Sequence, residues 1–271
     1  MRIERALELR PKVGSRARNT PRSNGLHALD QQSLPQGQLV YAIGDIHGRA
    51  DLLALLLAVI ISDAARSMGA KRRTLVFLGD YIDRGHDSRR VVDMLLSDLP
   101  EGFDVHFLKG NHESIMLDFL EDPSYLGQWL ANGADATFRS YGMDVAELIR
   151  KGATPETWRR AFLASLPEAH RDFFETLELA VSFGDYFFVH AGVRPGVPLE
   201  GQDPKDLIWI RGPFLQSDED FGKIVVHGHT PRAKPEIRAN RIGIDTGAVF
   251  TDRLTALRLE DGSRRLLQVE A

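Results

Sequence analysis

Short apolar runs alternate with amphipathic segments along most of the chain after residue 38. The amphipathic segments over residues 49–67, 88–99 and 113–120 predict helices. The apolar runs, three to five residues long, predict strands: Leu39–Ile43, Thr74–Leu78, Val105–Leu108, Tyr186–Val189, Ile224–Val226 and Arg241–Ile244. Strand–helix–strand alternation is typical of βαβ units, so we expect a layered α/β fold.

Three other regions have different patterns. Residues 123–177 are helical in pattern and predict an insertion lying over the sheet, with its aromatic side chains in the core. Leu254–Leu259 and Arg265–Val269 flank the turn sequence EDGS and predict two antiparallel strands. Residues 1–36 are polar and contain three prolines, which predicts a flexible basic tail and leaves residues 37–271 as one domain.

Composition excludes several classes of protein. The 271 residues are 43% hydrophobic, enough for one large domain, and include no cysteine, which excludes disulfides and thiolate metal sites. No stretch reaches the roughly 18 uncharged apolar residues of a membrane-spanning helix. The N-terminus lacks the pattern of a signal peptide, so we expect a cytoplasmic protein without a membrane partner.

Charge is unevenly distributed along the chain. The formal net charge is -4, but residues 1–24 hold seven basic and two acidic side chains, so the remainder carries -9. This acidic body argues against a nucleic-acid partner. A phosphate-binding pocket remains compatible with it, because metal ions can supply local positive charge.

Five of the apolar runs end in glycine together with aspartate, asparagine or histidine. Their ends read IGDIHG, FLGDYIDRG, LKGNHE, FVHAG and VVHGHTP. Ligands of open α/β sheets bind at the carboxyl ends of the strands, so we expect these five ends to converge. The nitrogen and oxygen ligands suit Mn, Fe, Zn or Ni, and they are too many for one tetrahedral ion. Two ions bridged by a carboxylate fit this set better.

The sequences GDIHG, GDYIDRG and GNHE resemble the signature of the calcineurin-like metallophosphoesterases, and within them the phosphoprotein phosphatases. The stretches WLANG, LIWIRGPF and GHTP resemble the bacterial and phage branch of that family. The resemblance covers about residues 39–259. It implies an α/β fold in which layered sheets form a sandwich flanked by helices, with two divalent ions as cofactors. Manganese is expected first, with iron, zinc or nickel as alternatives.

The resemblance also implies a role for each motif residue. The metal ligands would be Asp45 and His47 on the first ion, Asp80 on both ions, and Asn111, His190 and His229 on the second. A water activated between the ions would attack phosphorus directly. The catalytic residues would be His112, which protonates the departing oxygen, Asp83, which orients His112, and Arg84. Arg84 and Arg211 would bind the phosphoryl oxygens.

Other polar residues near the motifs are assigned to supporting roles. His227 competes with His229 for the ligand position, and the GHT pattern favours His229. His86 is expected on a solvated loop, and Asp245 is expected to support the back wall of the site. His27, His106 and His170 lie outside the motifs and are expected to be structural or on the surface.

The function implied by the resemblance is a serine/threonine protein phosphatase acting on a phosphorylated protein or a small phosphoester. The alternative enzyme is a bis(5'-nucleosyl)-tetraphosphatase, which would share the same site. In such an enzyme we would expect alanine in place of Asp83 and aspartate in place of Glu113. The sequence therefore favours the phosphatase. A non-catalytic phosphate- or protein-binding module would have lost a ligand or the acid, and none is lost. A related nuclease would end in Gly-His-x-His, whereas Pro231 stands at the last position.

Overall fold

Two β-sheets pack face to face in the computed structural model, which describes residues 7–8, 33–67 and 69–271. The strands are β1 (Leu7–Glu8), β2 (Gln38–Ile43), β3 (Arg72–Phe77), β4 (Asp104–Phe107), β5 (Ala180–Phe183), β6 (Tyr186–Val189), β7 (Ile224–His227), β8 (Glu236–Ile237), β9 (Arg241–Gly243), β10 (Arg253–Glu260) and β11 (Ser263–Glu270). The first sheet has the order β1-β11-β10-β2-β3-β4 and the second the order β5-β6-β7-β9-β8.

Side-chain alternation along the strands builds the layers. In β2, Val40 and Ala42 point between the sheets, where they share an apolar cluster with Phe188 of β6 and Val226 of β7. Successive side chains of a strand point to opposite faces. Leu39, Tyr41 and Ile43 therefore face the other way and join a second cluster with the helices. Strands buried on both faces must be apolar at nearly every position, which is why these runs are continuous in the sequence.

Helices cover the outer face of each sheet. The helices α1 (Ala50–Ala64), α2 (Ser88–Ser97), α3 (Asn111–Glu121), α4 (Leu126–Ala131), α5 (Ala134–Ser140), α6 (Val145–Arg150), α7 (Pro155–Ser165) and α8 (Glu168–Glu175) lie on the side of the first sheet. The short helices α9 (Pro204–Trp209) and α10 (Gly212–Leu215) contribute to a third cluster with β6 and β7, and α11 (Ala248–Thr251) precedes β10. No helix in the described ranges has the length and apolar character that crossing a bilayer requires.

The predicted α/β sandwich with a helical insertion is confirmed. All six predicted strands and the C-terminal antiparallel pair are present with ends within two residues of the expected positions. The three predicted helices are also present, with ends within three residues of the expected positions. Residues 123–177 are helical without a strand, and Trp129, Phe138, Trp158 and Phe162 are buried there against one another. The sequence missed β5 and β8, which are short and only partly buried, so they lack a continuous apolar run.

Most of the predicted N-terminal tail lies outside the described residues. The described parts are Leu7–Glu8, which pairs antiparallel with β11 opposite Leu266 and Arg265, and residues 33–36, of which Leu34 is buried in the apolar cluster between the sheets. His27 is also outside the described residues.

Removing Phe188 should destabilise the fold much more than removing Phe250. Phe188 is fully buried between the sheets, whereas Phe250 is 67% exposed. We expect Phe188→Ala to lower the free energy of unfolding by about 3–5 kcal/mol. Phe250→Ala should change it by no more than about 0.5 kcal/mol. Urea unfolding of the two variants measures the difference, and equal losses would contradict the packing described above.

Candidate metal centre

The carboxyl ends of the central strands of both sheets meet at one edge of the sandwich. In the first sheet β2, β3 and β4 run parallel, and they are followed by Asp45 and Asp80 on loops and by Asn111 at the start of α3. In the second sheet β6 and β7 run parallel, and they lead to His190 and His229. All five residues are at most 3% exposed. The expected convergence of strand ends is therefore present.

Asp80 lies at the centre of two groups of potential ligands. One group contains His47, Asp80 and His112, and the other contains Asp80, His190 and His229. Asp80 Oδ2 is 3.5 Å from His47 Nε2, and Asp80 Oδ1 is 3.4 Å from His190 Nε2. Each carboxylate oxygen thus faces a different group, as a carboxylate that bridges two cations must.

Backbone carbonyls orient His47 and His190. His47 Nδ1 lies 2.9 Å from the carbonyl oxygen of Ile82, and His190 Nδ1 lies 2.8 Å from that of Leu78. Only an N–H can be donated to a carbonyl, so in the neutral rings Nε2 carries the lone pair that faces the site. Burial lowers the pKa of His47 to about 3 despite the charge of Asp80, and burial also lowers the pKa of His190. The neutral imidazole favoured in both cases is the form that binds metal.

Polar atoms of four side chains lie close together around the second group. His190 Nε2 lies 3.1 Å from Asn111 Oδ1, 3.2 Å from His229 Nδ1 and 3.4 Å from Asp80 Oδ1. A lone-pair nitrogen beside two oxygen acceptors is stabilised by a cation between them. Burial, followed by the neighbouring His190, lowers the pKa of His229 to about 2.

Asp45 presents an unpaired oxygen to the same region. Its Oδ2 accepts a hydrogen bond from the backbone N–H of His229 (2.9 Å), while its Oδ1 is buried without a hydrogen-bond partner. Burial and the nearby carboxylates of Asp245 and Asp80 raise the pKa of Asp45 well above its usual value. A divalent cation would offset this cost, so the donor atoms fit a two-metal centre of nitrogen and oxygen ligands.

The loops that carry these residues have strained backbones. Seven non-glycine residues among those described have a positive φ, and five of them are at the site: His47, Asp80, Asp83, Arg84 and His229. Such residues cluster where function requires an unusual backbone. Glycine is required beside them, since a Cβ atom at Gly228 would lie 2.0 Å from Asp45 Oδ1.

Glu113 holds the loops in place and was not assigned a role from the sequence. Its Oε2 accepts hydrogen bonds from the backbone N–H groups of Asp80 and Gly110, both at 3.0 Å. Its Oε1 accepts from the N–H of Tyr81 at 2.8 Å. One buried carboxylate therefore joins the loop after β3 to the loop after β4. The signal in the sequence was its place in GNHE, directly after the predicted ligand Asn111 and the predicted acid His112.

His112 differs from the other histidines of the site. Its Nδ1 lies 2.6 Å from Asp83 Oδ2, and its Nε2 is buried without a hydrogen-bond partner. Burial lowers the pKa of His112, but the charges of Asp80 and Asp83 outweigh this effect, so that its pKa is raised. A protonated imidazole donates a proton and does not bind metal. Although His112 Nε2 is 3.8 Å from Asp80 Oδ2, this environment therefore suits an acid better than a ligand.

Two arginines reach into the site from opposite sides. Arg84 Nη1 donates to His47 Nε2 at 2.7 Å, and Arg211 Nε donates to His229 Nε2 at 2.9 Å. Each guanidinium group therefore contacts a histidine of a different group.

The remaining candidates lie around the centre as expected. His227 packs edge-on against Phe214 with ring centroids 5.0 Å apart, and it is in neither ligand group. His86 is exposed. Asp245 is buried and accepts a hydrogen bond from the backbone N–H of Gly247 at 2.8 Å, so it supports the wall of the site. His170 is buried and bonded to Tyr141 and Asp93, and His106 is near Glu178.

The family model for calcineurin-like phosphoesterases matches residues 39–255, which include every strand end described above. The chain belongs to this family. Members are metallophosphoesterases, so divalent metal ions are implied, and the two His/Asp groups could hold them. The chain is therefore a metal-dependent phosphoester hydrolase.

Relatives within the family carry the names of nucleotide hydrolases. The chain is 27% identical over 243 residues to the asymmetrical bis(5'-nucleosyl)-tetraphosphatase of Bacillus velezensis, covering 81% of this chain and 88% of that protein. A protein of the same name from Oceanobacillus iheyensis is 25% identical over 235 residues, with coverage of 81% and 88%. A crystal structure named "putative diadenosine tetraphosphatase" superposes with a TM-score of 0.58 at 22% identity, covering 88% and 96% of the two chains, and supports the shared fold.

Replacing Asp80 by asparagine should reduce the metal content of the protein more than replacing Asp45 by asparagine. Asp80 belongs to both ligand groups, and without its charge two cations would face each other with less compensation. We expect Asp80→Asn to lose both ions and Asp45→Asn to retain part of its metal. Metal analysis per chain on folded, dialysed protein gives the comparison. An Asp80→Asn variant that keeps two ions would rule out the bridging role.

Proposed function

We propose that this chain is a two-metal phosphohydrolase of small phosphorylated molecules, with dinucleoside polyphosphates as the first substrate class. The observation that carries the proposal is the pair of His/Asp groups that share Asp80, beside an unpaired His112 Nε2 and two arginines. The names of the relatives support the dinucleoside class, although the motifs alone favoured a serine/threonine protein phosphatase.

The proposed metal ligands are the six residues predicted from the sequence: Asp45, His47, Asp80, Asn111, His190 and His229. A pair of divalent ions held there would withdraw charge from the phosphoryl oxygens and make a bound water acidic enough to act near neutral pH. Arg84 and Arg211 orient the phosphoryl group through their guanidinium N–H donors.

His112 completes the reaction at the leaving oxygen. As water adds to phosphorus, the P–O bond to the leaving group breaks, and the proton on His112 Nε2 passes to the departing oxygen. Asp83 stabilises the charged imidazole through Nδ1 at 2.6 Å. General-acid assistance of this kind is worth about 10²- to 10⁴-fold in rate.

The second candidate function is the serine/threonine protein phosphatase, and the Asp83–His112 pair favours it. A serine alkoxide is a strongly basic leaving group that needs a proton, whereas the phosphate oxygen released from a dinucleoside polyphosphate is weakly basic. A complete acid with a raised pKa therefore suits a phosphoester with an alkyl leaving group. Small phosphoesters with an alkyl leaving group are included in this second candidate function.

A substrate panel separates the two candidates. Protein stripped of metal and re-supplied with Mn²⁺ is assayed with diadenosine tetraphosphate and with phosphoserine, phosphothreonine and phosphotyrosine peptides. We expect the highest kcat/KM for the dinucleotide. A higher kcat/KM for phosphoserine or phosphothreonine peptide would replace the first candidate by the second. Full turnover by protein shown to be metal-free would overturn both.

His112→Asn should impair turnover to an extent that depends on the basicity of the leaving group. We expect a loss of about 10²-fold or more for an alkyl phosphoester and a much smaller loss for p-nitrophenyl phosphate, whose leaving group needs little protonation. Asp83→Asn should follow the same pattern more mildly, because Asp83 acts through the imidazole.

Arg84→Ala is the matched comparison for His112→Asn. It should weaken kcat/KM for both substrates alike, because both present the same phosphoryl group. Metal content is checked in every variant. Equal losses on the two substrates for His112→Asn, at unchanged metal content, would remove its role as the acid.

A further inference from the structure

The helical insertion contacts the acid pair directly through Asp83. Asp83 Oδ2 accepts a hydrogen bond from Trp129 Nε1 at 2.8 Å in addition to its contact with His112. Asp83 Oδ1 accepts from Thr137 Oγ1 at 2.6 Å. All four side chains are fully buried. Both oxygens of Asp83 are therefore held by donors from α4 and α5, and the insertion sets the direction in which the carboxylate faces His112.

The same insertion holds the backbone of the strained turn. Asp83 and Arg84 are consecutive non-glycine residues in the left-handed region, with φ of 72° and 69°. The N–H of Asp83 donates to Thr137 Oγ1 at 2.9 Å, and the N–H of Arg84 donates to the carbonyl of Gly133 at 3.1 Å. A conformation of this kind persists only where its surroundings determine it. Thr137 thus contacts both the main chain and the side chain of Asp83.

Packing alone does not account for Trp129. Its ring lies 4.7 Å from the ring of Phe138 and 5.3 Å from those of Phe119 and Phe162, in contacts that a phenyl ring could also make. The buried indole N–H needs an acceptor, and it has the carboxylate that also contacts the proposed acid. The feature specific to tryptophan at this position is therefore its hydrogen bond.

We propose that Trp129 and Thr137 are positioning residues that act through Asp83 to aim His112 Nε2 at the leaving oxygen. The proposal rests on the proposed function in one respect, namely that His112 acts as the general acid. It gives the helical insertion a role in catalysis. Without the Trp129 and Thr137 donors, the Asp83 carboxylate could rotate, and the His112 ring would turn away from the leaving oxygen. Small misplacements of a catalytic group reduce turnover strongly.

The variants remove each hydrogen bond with little change in shape. Trp129→Phe keeps an aromatic ring and removes the donor, and Thr137→Val keeps the volume and removes the hydroxyl. Thr137→Ser restores the hydroxyl and should recover most of the activity. The matched control is Trp158→Phe, since Trp158 packs against Phe138 at 5.2 Å in the same aromatic cluster and no hydrogen bond joins it to Asp83 within the described residues.

The assay measures kcat and KM with a series of phosphate monoesters whose leaving groups range from nitrophenol to an alkyl alcohol. We expect Trp129→Phe and Thr137→Val to lower kcat about 10- to 100-fold for the alkyl ester, with KM and metal content unchanged and much smaller losses for the nitrophenyl ester. Trp158→Phe should leave the dependence on the leaving group unchanged. Equal losses of kcat for every leaving group would mean that Trp129 and Thr137 contribute only to packing, and would overturn the inference.

A double-mutant cycle tests whether the two residues act through His112. In the His112→Asn background, Trp129→Phe and Thr137→Val should cause no further loss, because the group they position is gone. Additive losses would overturn the inference. Thermal unfolding is followed in parallel, and if Trp129→Phe fails to fold, Thr137→Val with Thr137→Ser carries the test alone.

The failure of this inference differs from the failure of the proposed function. If His112→Asn shows the leaving-group pattern but Trp129→Phe and Thr137→Val do not, only the positioning role is wrong. If His112→Asn itself shows no such pattern, the acid assignment and the positioning role both fail. A wild-type enzyme that cleaves aryl phosphates but no dinucleotide leaves the positioning test in place and removes the first substrate class.

Discussion

The site depends on the position of the Asp80 carboxylate between two groups of buried histidines. Burial alone would raise the pKa of Asp80, but the neighbouring histidines lower it, so the carboxylate is charged. Burial lowers the pKa values of His47, His190 and His229, whereas the pKa of His112 is raised. The charged carboxylate therefore faces three rings whose neutral, lone-pair form is favoured, which is the electrostatic setting that a pair of cations stabilises. The surrounding loops are arranged to maintain it.

Maintaining that setting requires unusual backbone conformations and separate groups to hold them. Glu113 fixes three backbone N–H groups around Asp80, and the insertion fixes the turn at Asp83 and Arg84. These supports are themselves buried and hydrogen-bonded, so their geometry is set by the fold. The site is thus preorganised by residues outside the two groups of potential ligands.

The sequence predicted the parts of the site that are local in the chain. Strand ends with GDIHG, GDYIDRG and GNHE place candidate ligands within a few residues of an apolar run, and parallel strands bring such ends to one edge. Trp129 and Thr137 lie 46 and 54 residues from Asp83, and their aromatic or polar character is equally compatible with a core position. Their role became visible only from the hydrogen bonds. The substrate class could not be predicted from the motifs either, because the dinucleoside polyphosphate hydrolase and the protein phosphatase would use the same proposed metal ligands.

The candidate ligands around Asp80 come from both sheets. Asp80 and Asn111 follow strands of the first sheet, whereas His190 and His229 follow strands of the second. In a chain without cysteine, a metal ion held by all four residues would cross-link the two sheets, as a disulfide bond cross-links parts of other proteins. Because such an ion binds the folded chain and not the unfolded one, its free concentration would set how firmly the two layers are joined. Metal supply would then govern the lifetime of the protein as well as its turnover.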